Sequence, residues 1–293
     1  MCDLHRDLYT ANNGKSNAKS GGGLSRRRFL SRAVIAGAGL AAAPLLLTPS
    51  AARADAFFPM PSPDDQKRVG DQAARQVLQQ YKEVRDSRAR HFGDLGRRLV
   101  SALPPQDQRL WDYRFHVIDS PEVNAFALPG GSIFLFTGLY DQIHTEDALA
   151  AVTGHEMTHV RKQHWAQGYV KQQEREAGIG LLLGLFHAGQ AVQTVAGLAD
   201  SAIGLKFSRG EEDQADAGGL DDMVAAGYDP QGMLQLFGTL QKVAGNGGEF
   251  GTDFLSNHPL TSDRIKHTQQ RIAALSPAGF GQEQEFRRGR QRG

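Results

Sequence analysis

The chain is poor in cysteine, since its 293 residues contain a single one, Cys2. This count excludes a disulfide bond within the chain, because a bridge needs a pair of cysteines. Cys2 also precedes an N-terminal export signal's apolar stretch and is expected to leave with that signal. The remaining chain then has no thiolate that binds a metal or attacks a substrate.

The sequence also lacks an excess of charge of one sign. It contains 33 lysine and arginine residues against 32 aspartate and glutamate residues, a formal net charge of +1. Proteins that bind nucleic acid usually concentrate basic charge on one face. We therefore expect no nucleic acid among the partners of this protein.

Apolar runs long enough to cross a membrane are scarce, and the N-terminal one is typical of an export signal. Residues 25–31 read SRRRFLS, an apolar stretch follows at 33–47, and Ala-Arg-Ala stands at 52–54. A membrane helix needs about 20 apolar residues, which is more than this stretch offers. The paired arginines match the twin-arginine pattern. We predict a twin-arginine signal over residues 1–54, cleaved after Ala54; a Sec signal and an uncleaved anchor are the alternatives.

The rest of the chain predicts one folded domain of α+β class, mainly helical. Residues 55–66 are typical of a linker, residues 67–276 of a folded domain, and the basic, glycine-rich residues 277–293 of a disordered tail. Hydrophobic periodicity and capping residues predict these elements: one or two helices at 67–100, single helices at 145–175, 208–226, 230–243 and 261–275, a strand at 113–118, and two strands joined by a Pro-Gly-Gly turn at 124–138.

The most informative stretch is GHEMTHV, residues 154–160. His155 and His159 are four residues apart, so a helix places both on one face. Glu156 is rotated by about 100° from His155. This pattern is typical of a zinc site in which two histidines hold the ion and the glutamate is the general base for an activated water. Two solvent-facing helix histidines are the alternative.

A zinc peptidase also needs a third protein ligand and an open fourth position. The extended form of the motif, with a further histidine, is excluded because Lys162 and Trp165 stand at its key positions. A carboxylate on a separate helix is the other known solution. The stretch FSRGEEDQADAGG at 207–219 offers Glu212 for this purpose.

Asp216 lies one helical turn after Glu212 and is predicted to fix the tautomer of a ligand histidine, most simply His155. Glu211 is the competing ligand, but nothing acidic follows it at the same spacing. A solvated acidic helix start is the alternative for these carboxylates. The sequence thus predicts one Zn²⁺ ion per chain, held by three residues: His155, His159 and Glu212.

These motifs together are similar to those of the HtpX-like gluzincin endopeptidases, the family that includes the CAAX prenyl proteases. The resemblance also rests on NAFALPGG at 124–131, GYDP at 227–230 and HPLTSDRI at 258–265, and it covers residues 65–275. It implies a zincin-like metallopeptidase domain with a small β-sheet beside the motif helix. The chain resembles the soluble periplasmic BepA-like members more than the membrane-embedded ones, and no tetratricopeptide domain is expected after its last helix.

The resemblance implies roles for residues outside the zinc motif. His258 matches a histidine that can occupy the fourth zinc position in BepA-like members and shut the site, and stabilisation of the oxyanion is its competing catalytic role. Arg264 matches an arginine near the active site, a candidate stabiliser of the oxyanion. Capping or packing of a helix is the alternative for both. His164 matches a common family histidine for which the sequence suggests only a structural role.

The strand near 124–128 is a candidate substrate-binding edge. An edge strand has unpaired N–H and C=O groups, to which an extended peptide adds as a further strand. Asn124, Ala125 and Phe126 are the predicted contact residues, and a core strand is the alternative. Such an edge reads backbone more than side chains, which suits a protease that clears unfolded chains.

An apolar, glycine-rich segment at 177–205 separates the two ligand helices. Its longest apolar run is about ten residues, too short for a bilayer crossing. A buried helical hairpin is the first interpretation, and a mobile flap over the site or a peripheral membrane contact are the alternatives.

The function predicted from the sequence is that of an exported periplasmic zinc endopeptidase. Its expected substrates are unfolded or misassembled envelope proteins, in the context of protein quality control. A metal-dependent chaperone or assembly factor with latent protease activity is the alternative, and a structural or carrier protein is another. Glu156 favours the enzyme, because a pure binding protein has no need of a general base.

Overall fold

The computed structural model of the protein describes residues 59–182, 206–245 and 253–275. The predicted export signal, the segment at 183–205 and the basic tail lie outside the described residues. The elements follow one another in this order: α1 (Pro63–Gln80), α2 (Ser87–Ala102), α3 (Pro105–Leu110), β1 (Arg114–Ile118), β2 (Ala125–Ala127), β3 (Ser132–Phe136), α4 (Thr137–Tyr140), α5 (Glu146–Arg161), α6 (His164–Leu182), α7 (Arg209–Ala225), α8 (Gln231–Gly245), α9 (Asp253–Asn257) and α10 (Ser262–Ala274).

The predicted α+β class, mainly helical with a small sheet, is confirmed. The sheet has the strand order β1-β3-β2, with β1 parallel and β2 antiparallel to β3. The turn between β2 and β3 uses Gly130 and Gly131, whose φ angles of 88° and 126° favour glycine. Because the strand order ends with β2, this strand lies at an edge of the sheet. The sequence had left an edge strand and a core strand as the two interpretations.

The predicted linker is shorter than expected, since α1 begins at Pro63 and not at residue 67. Ser62 and Asp65 form a capping box in which each side chain bonds to the other's main-chain N–H. A proline at the first helical position is well tolerated there because its missing N–H has no partner to lose. The Ser-Pro-Asp-Asp sequence is thus a helix start and not a linker.

The single helix predicted over 145–175 is wrong, because the chain breaks between α5 and α6. Gln163 stands at this break with a φ of 55°, in the left-handed region. Its side-chain oxygen accepts a hydrogen bond of 2.8 Å from Gln66 of α1. Hydrophobic periodicity did not predict the break, because the hydrogen bond that accompanies it joins Gln66 and Gln163, which are 97 positions apart in the sequence. The short helix α9 was also not predicted.

α5 is the central element of the described fold, with every side chain from Ala148 to Val160 buried. It packs against α7, α8 and the sheet. The approach to α7 depends on two glycines: a Cβ on Gly154 would lie 2.9 Å from the Gly219 carbonyl oxygen, and one on Gly219 would lie 2.7 Å from the His155 nitrogen. This contact brings the motif helix and the acidic helix together.

α6 extends to Leu182, and the side chains of its last residues and the chain up to residue 205 lie outside the described residues. The hairpin and flap interpretations of 177–205 therefore stay predictions. Among the described helices, none combines the length and the hydropathy that a bilayer crossing requires.

Candidate metal centre

Four buried side chains from three parts of the fold converge on one point. His155 and His159 come from α5, Glu212 from the first turn of α7, and His258 from the connection between α9 and α10. One ligand atom from each lies within 4.8 Å of the others. Fold packing thus joins the three predicted zinc ligands and the histidine that the family resemblance added.

The distances in this group place the donor atoms around a common centre. Nε2 of His155 lies 3.1 Å from Nε2 of His159 and 3.3 Å from Nδ1 of His258. One carboxylate oxygen of Glu212 lies 2.9 Å from His258 Nδ1 and 3.6 Å from His159 Nε2. The other lies 3.6 Å from His155 Nε2.

These residues fit a zinc ion. Imidazole nitrogens and a carboxylate oxygen are donors that zinc accepts in catalytic sites. Ring nitrogens that converge on one point leave a place for a shared cation, since they cannot all donate to one another. The Oε1 atom of Glu156 is buried beside the group without a hydrogen-bond partner. The second oxygen of Glu212 lies 2.7 Å from Arg264 and 3.6 Å from His155, but neither contact has hydrogen-bond geometry.

His155 is held by a charged pair. Its Nδ1 lies 2.9 Å from Asp216, and Nε and Nη2 of Arg264 donate to the same carboxylate at 2.6 and 2.7 Å. Burial raises the pKa of Asp216, but the hydrogen bonds from Arg264 and His155 outweigh it and leave the pKa lowered. An ionised Asp216 accepts the Nδ1 hydrogen of His155, which leaves the Nε2 lone pair facing the metal centre.

The predicted role of Arg264 in oxyanion stabilisation needs correction. Its side chain is 3% exposed, and Nη1 donates to the Pro259 carbonyl at 2.9 Å besides contacting Glu212. Its other donor atoms are bonded to Asp216. Arg264 thus supports the carboxylates around the metal centre instead of facing a substrate.

His159 is held by an uncharged pair that the sequence did not reveal. Its Nδ1 lies 2.9 Å from Nδ1 of His164, whose Nε2 lies 3.4 Å from the Gln214 side-chain oxygen. Burial lowers the pKa of both histidines, and that of His159 falls well below its usual range. Neutral His159 donates its Nδ1 hydrogen to His164, which donates in turn to Gln214.

The helix break explains why sequence spacing did not predict this pair. On one continuous helix, five residues would rotate His164 by about 140° away from His159. The turn at Gln163 brings the start of α6 back against α5 and moves His164 beside the ring of His159. Phe207 was missed for a similar reason, since it lies just before α7 and packs on His159 with ring centroids 3.9 Å apart.

Glu156 is placed as a general base requires. Its side chain is buried at the edge of the metal centre, 3.7 Å from Nε2 of His258. Burial raises the pKa of its carboxyl, and the nearby His258 and His155 oppose this only in part. The main-chain N–H of Ala127 in β2 donates a hydrogen bond to the carboxylate. A raised pKa brings a carboxylate closer to the range in which a base works at neutral pH.

His258 completes a possible four-residue shell. Burial lowers its pKa, but the carboxylates of Glu212 and Glu156 outweigh burial and leave the pKa raised. The ring stacks on Phe254 with centroids 4.6 Å apart and an angle of 23°. Zinc held by four protein ligands is a closed, structural type of site. His258 therefore stands where it is able to decide whether the site is open.

Glu211, the competing ligand, faces away from this group. Its carboxylate accepts a hydrogen bond of 2.7 Å from the Ser208 main chain and another of 2.7 Å from Lys171. These contacts cap α7 and tie it to α6. The structure thus assigns capping to Glu211 and the metal centre to Glu212.

The predicted substrate-contact residues have buried side chains: Asn124 is 0%, Ala125 2% and Phe126 3% exposed. Neither polar atom of the Asn124 side chain has a hydrogen-bond partner. The prediction relied on the main chain of β2 and not on these side chains, so their burial does not contradict it, and it stays a prediction.

Within the described ranges, one edge of β2 pairs with no other strand, and this edge lies near Glu156. Asn124 and Leu128 use main-chain groups to bond to the β3 side. Because antiparallel strands alternate between inward and outward groups, Ala125 and Ala127 direct theirs to the other side. Ala127 is also the residue whose N–H bonds to Glu156.

Comparison with known proteins agrees with this geometry. The family model described as Peptidase family M48 matches residues 87–272. The beta-barrel assembly-enhancing protease of Escherichia coli (strain K12) is 28% identical over 230 residues, 74% of this chain and 46% of that protein. The mitochondrial metalloendopeptidase OMA1 of Arabidopsis thaliana is 37% identical over 150 residues, 51% of this chain and 30% of that protein. This chain therefore spans less than half the length of each of these two relatives.

Proposed function

The chain belongs to peptidase family M48, whose members are zinc-dependent, and from that premise we propose that it is a zinc-dependent endopeptidase. The observation that carries the proposal is the position of Glu156. Its buried carboxylate stands beside a group of four metal-binding side chains, and one of its oxygens has no hydrogen-bond partner. A structural metal site has no use for such a group.

His155, His159 and Glu212 would hold the ion, and a bound zinc supplies a Lewis acid and lowers the pKa of water. Glu156 accepts a proton from the attacking water and passes it to the leaving amine. Its raised pKa suits both steps, because a carboxyl whose pKa lies nearer neutral pH accepts the proton more readily and still releases it to the amine. Asp216 and Arg264 keep the ring of His155 oriented throughout.

The free edge of β2 supports binding of an extended peptide. The outward main-chain groups of Ala125 and the carbonyl of Ala127 would pair with a peptide as a further strand does. Ala127 also bonds to Glu156, so a peptide on this edge passes next to the general base. Such binding favours unfolded substrates, since a folded protein rarely offers a free strand.

We place this activity in the envelope. The N-terminal sequence predicts twin-arginine export to the periplasm, and relatives named for enhancing β-barrel assembly support a role on misassembled envelope proteins. Replacing Arg26 and Arg27 by lysine is expected to leave the precursor inside the cell. Fractionation of cells with and without the twin-arginine translocase measures this, and unchanged export in its absence would contradict the signal assignment.

The substitution Glu156→Gln tests the enzymatic function. It preserves size and is expected to leave zinc bound while cleavage falls by at least about 100-fold, the contribution of a general base. Glu146→Gln is the matched control, because it lies on the same helix with an exposed side chain. Elemental analysis and cleavage of an unfolded protein measure the two quantities. Cleavage at the wild-type rate in Glu156→Gln would exclude the proposed mechanism.

The position of His258 supports a second function, a chaperone or assembly factor with latent protease activity. As a fourth ligand His258 would close the site, so His258→Ala is expected to speed cleavage or cause self-cleavage at unchanged zinc content. Loss of cleavage with zinc retained would instead assign His258 to oxyanion stabilisation. Rescue of cells by Glu156→Gln would favour the chaperone.

A further inference from the structure

The first helix of the described fold, α1, contacts the surroundings of the metal centre at two places, although it contributes no metal ligand. It precedes residues 87–272, the part of the chain that the family model matches. Its close approach to the β2–β3 turn depends on Gly70, where a Cβ would overlap the carbonyl oxygen of Pro129. Near its start, Gln66 contacts the break between α5 and α6. α1 thus connects the hairpin that carries β2 with the segment that positions His164.

Apolar packing holds α1 in this position. A buried cluster joins Val77 of α1 to the rings of Phe134 and Phe136 on β3. The side chain of Trp165, in the first turn of α6, packs against the same cluster. Because α1 is anchored to the sheet and to α6, the side chain of Gln66 is held beside the break.

Gln66 is the polar contact between α1 and the break. Its side chain is buried, with 1% exposure, and Nε2 donates hydrogen bonds of 2.9 Å to the Pro61 carbonyl and 2.8 Å to the side-chain oxygen of Gln163. These two bonds use both hydrogens of the amide nitrogen. A buried amide that lost such partners would be left unsatisfied, so the geometry favours one position of the Gln163 side chain.

The backbone of Gln163 requires support of this kind. Among the described residues, it is the one non-glycine residue with a positive φ, 55°. The left-handed region is unfavourable for a residue with a Cβ, so a chain adopts it only where surrounding contacts hold it there. If Gln163 returned to the right-handed region, α5 would continue and His164 would rotate by about 140° away from His159.

We propose that Gln66 is a positioning residue of the metal centre, which acts through Gln163 and His164 on the ring of His159. The hydrogen bond from Gln66 holds the break, and the break places Nδ1 of His164 2.9 Å from Nδ1 of His159. The inference rests on the proposed function in one respect, since zinc is the ion that the centre is expected to hold. It gives α1, a helix outside the matched region, a part in organising that centre.

The zinc affinity of a Gln66→Leu chain is the first test. Leucine removes both hydrogen bonds without adding a buried polar group. The fraction of folded chains in which the break is formed then falls, and the apparent affinity falls with it. Chelator competition should show a loss of about fivefold, the factor that corresponds to a typical net hydrogen bond. Val77→Ala is the matched control, because it weakens the packing of α1 without changing the break and should leave the affinity unchanged.

Substitutions of Gln163 separate positioning from packing. Glycine adopts a φ of 55° without a steric penalty, so the break no longer depends on Gln66. The double variant, Gln66→Leu with Gln163→Gly, should therefore recover the zinc affinity that Gln66→Leu loses. As single changes, Gln163→Ala should weaken zinc binding as Gln66→Leu does, and Gln163→Gly should not. This order is the reverse of the one expected if glycine only made the break more flexible.

A spectroscopic signature of the metal-free chain is independent of zinc and of cleavage. The hydrogen between the Nδ1 atoms of His159 and His164 gives a proton NMR signal in a chain with ¹⁵N-labelled histidine, and His164→Leu identifies this signal by its loss. In Gln66→Leu the signal should weaken through exchange with water. It should remain in Val77→Ala and return in the double variant.

Each outcome decides whether Gln66 positions the metal centre. Unchanged zinc affinity or an unchanged signal in a folded Gln66→Leu chain would overturn the proposal, as would an equal loss in Val77→Ala or a double variant without recovery. If circular dichroism shows that Gln66→Leu does not fold, equal affinities of Gln163→Ala and Gln163→Gly would overturn it. A wild-type chain that binds no zinc or cleaves nothing would overturn the proposed function alone, because the NMR signal still tests the positioning.

Discussion

The two histidines of α5 lie one turn apart on the same helix, yet they are supported in different ways. The ring of His155 is hydrogen-bonded to Asp216, which forms a charged pair with Arg264 of α10. The ring of His159 is hydrogen-bonded to His164 at the start of α6, which forms an uncharged pair with Gln214. The comparison shows that one metal centre orients its two histidines by two physical means.

The two pairs differ in how much stability is lost when one of their residues is substituted. A buried charged pair is strongly destabilised by loss of one partner, because the other charge stays buried and unpaired. An uncharged pair leaves at most an unsatisfied polar atom, which costs less. We therefore expect the His155 side to be the more sensitive to substitution in both zinc affinity and stability.

The largest effect is expected from Glu212, the residue that lies next to both histidines. Glu212→Ala removes a proposed ligand, so zinc affinity should fall by more than about 100-fold, beyond the range typical of supporting residues. Glu211→Ala is the control, since that neighbour caps α7 instead. Elemental analysis after dialysis measures zinc. Undiminished zinc in the Glu212 variant would show that the ion lies elsewhere.

The next effect should come from the charged side. Asp216→Asn removes the carboxylate that accepts two hydrogen bonds from buried Arg264 and leaves Glu212 as its remaining anionic contact. The free energy of unfolding should therefore fall by up to about 3–5 kcal/mol, the range for a broken buried pair. Zinc affinity should fall by about 10- to 100-fold as well, because His155 loses the carboxylate that orients it. Denaturant unfolding of the metal-free chain and chelator competition measure the two. A second substitution, Arg264→Met, should recover part of the stability, and no recovery would contradict the charge explanation.

A smaller effect is expected on the uncharged side. His164→Leu removes the acceptor for the Nδ1 hydrogen of His159, and zinc affinity should fall by about tenfold, the lower end for such supports. His164→Asn places an oxygen near the position of Nδ1 and should restore much of the affinity. Chelator competition on both variants decides the matter. Equal losses would mean that His164 acts through packing alone.

The smallest effect concerns acid stability. The pKa of Asp216 is lowered from 3.8 in the folded chain, so the unfolded chain binds more protons in acid. Its contribution to stability is therefore complete above about pH 4, the usual pKa of an aspartate, and is lost as the pH falls through the folded pKa. Urea unfolding of the metal-free chain between about pH 3 and 6 measures this loss, because that interval includes the onset at about pH 4. Asp216→Asn should show a shallower pH slope than the wild type, and an equal slope would contradict the assignment.

Residues close together along the chain were predictable from the sequence. The spacing of His155 and His159, the position of Glu156 and the turn from Glu212 to Asp216 follow from helix geometry. The capping residue Thr145 predicted the start of α5, and the Pro-Gly-Gly turn between two strand patterns predicted the β2–β3 hairpin. These features depend on local periods and turn chemistry, which a single sequence contains. Family resemblance added His258, which local patterns would not have joined to the site.

Only the tertiary structure decided which distant groups meet. Gln66 from α1 bonds to Gln163 at the break that brings His164 to His159, and no period of the sequence relates these positions. Arg264 matched a catalytic arginine, yet packing of α10 against α7 directs its donors to Asp216. The close contact of Gly154 with Gly219 sets the distance between the two ligand helices. Such contacts depend on the summed packing of the core, which is why the sequence determined the chemical groups and the fold determined their partners.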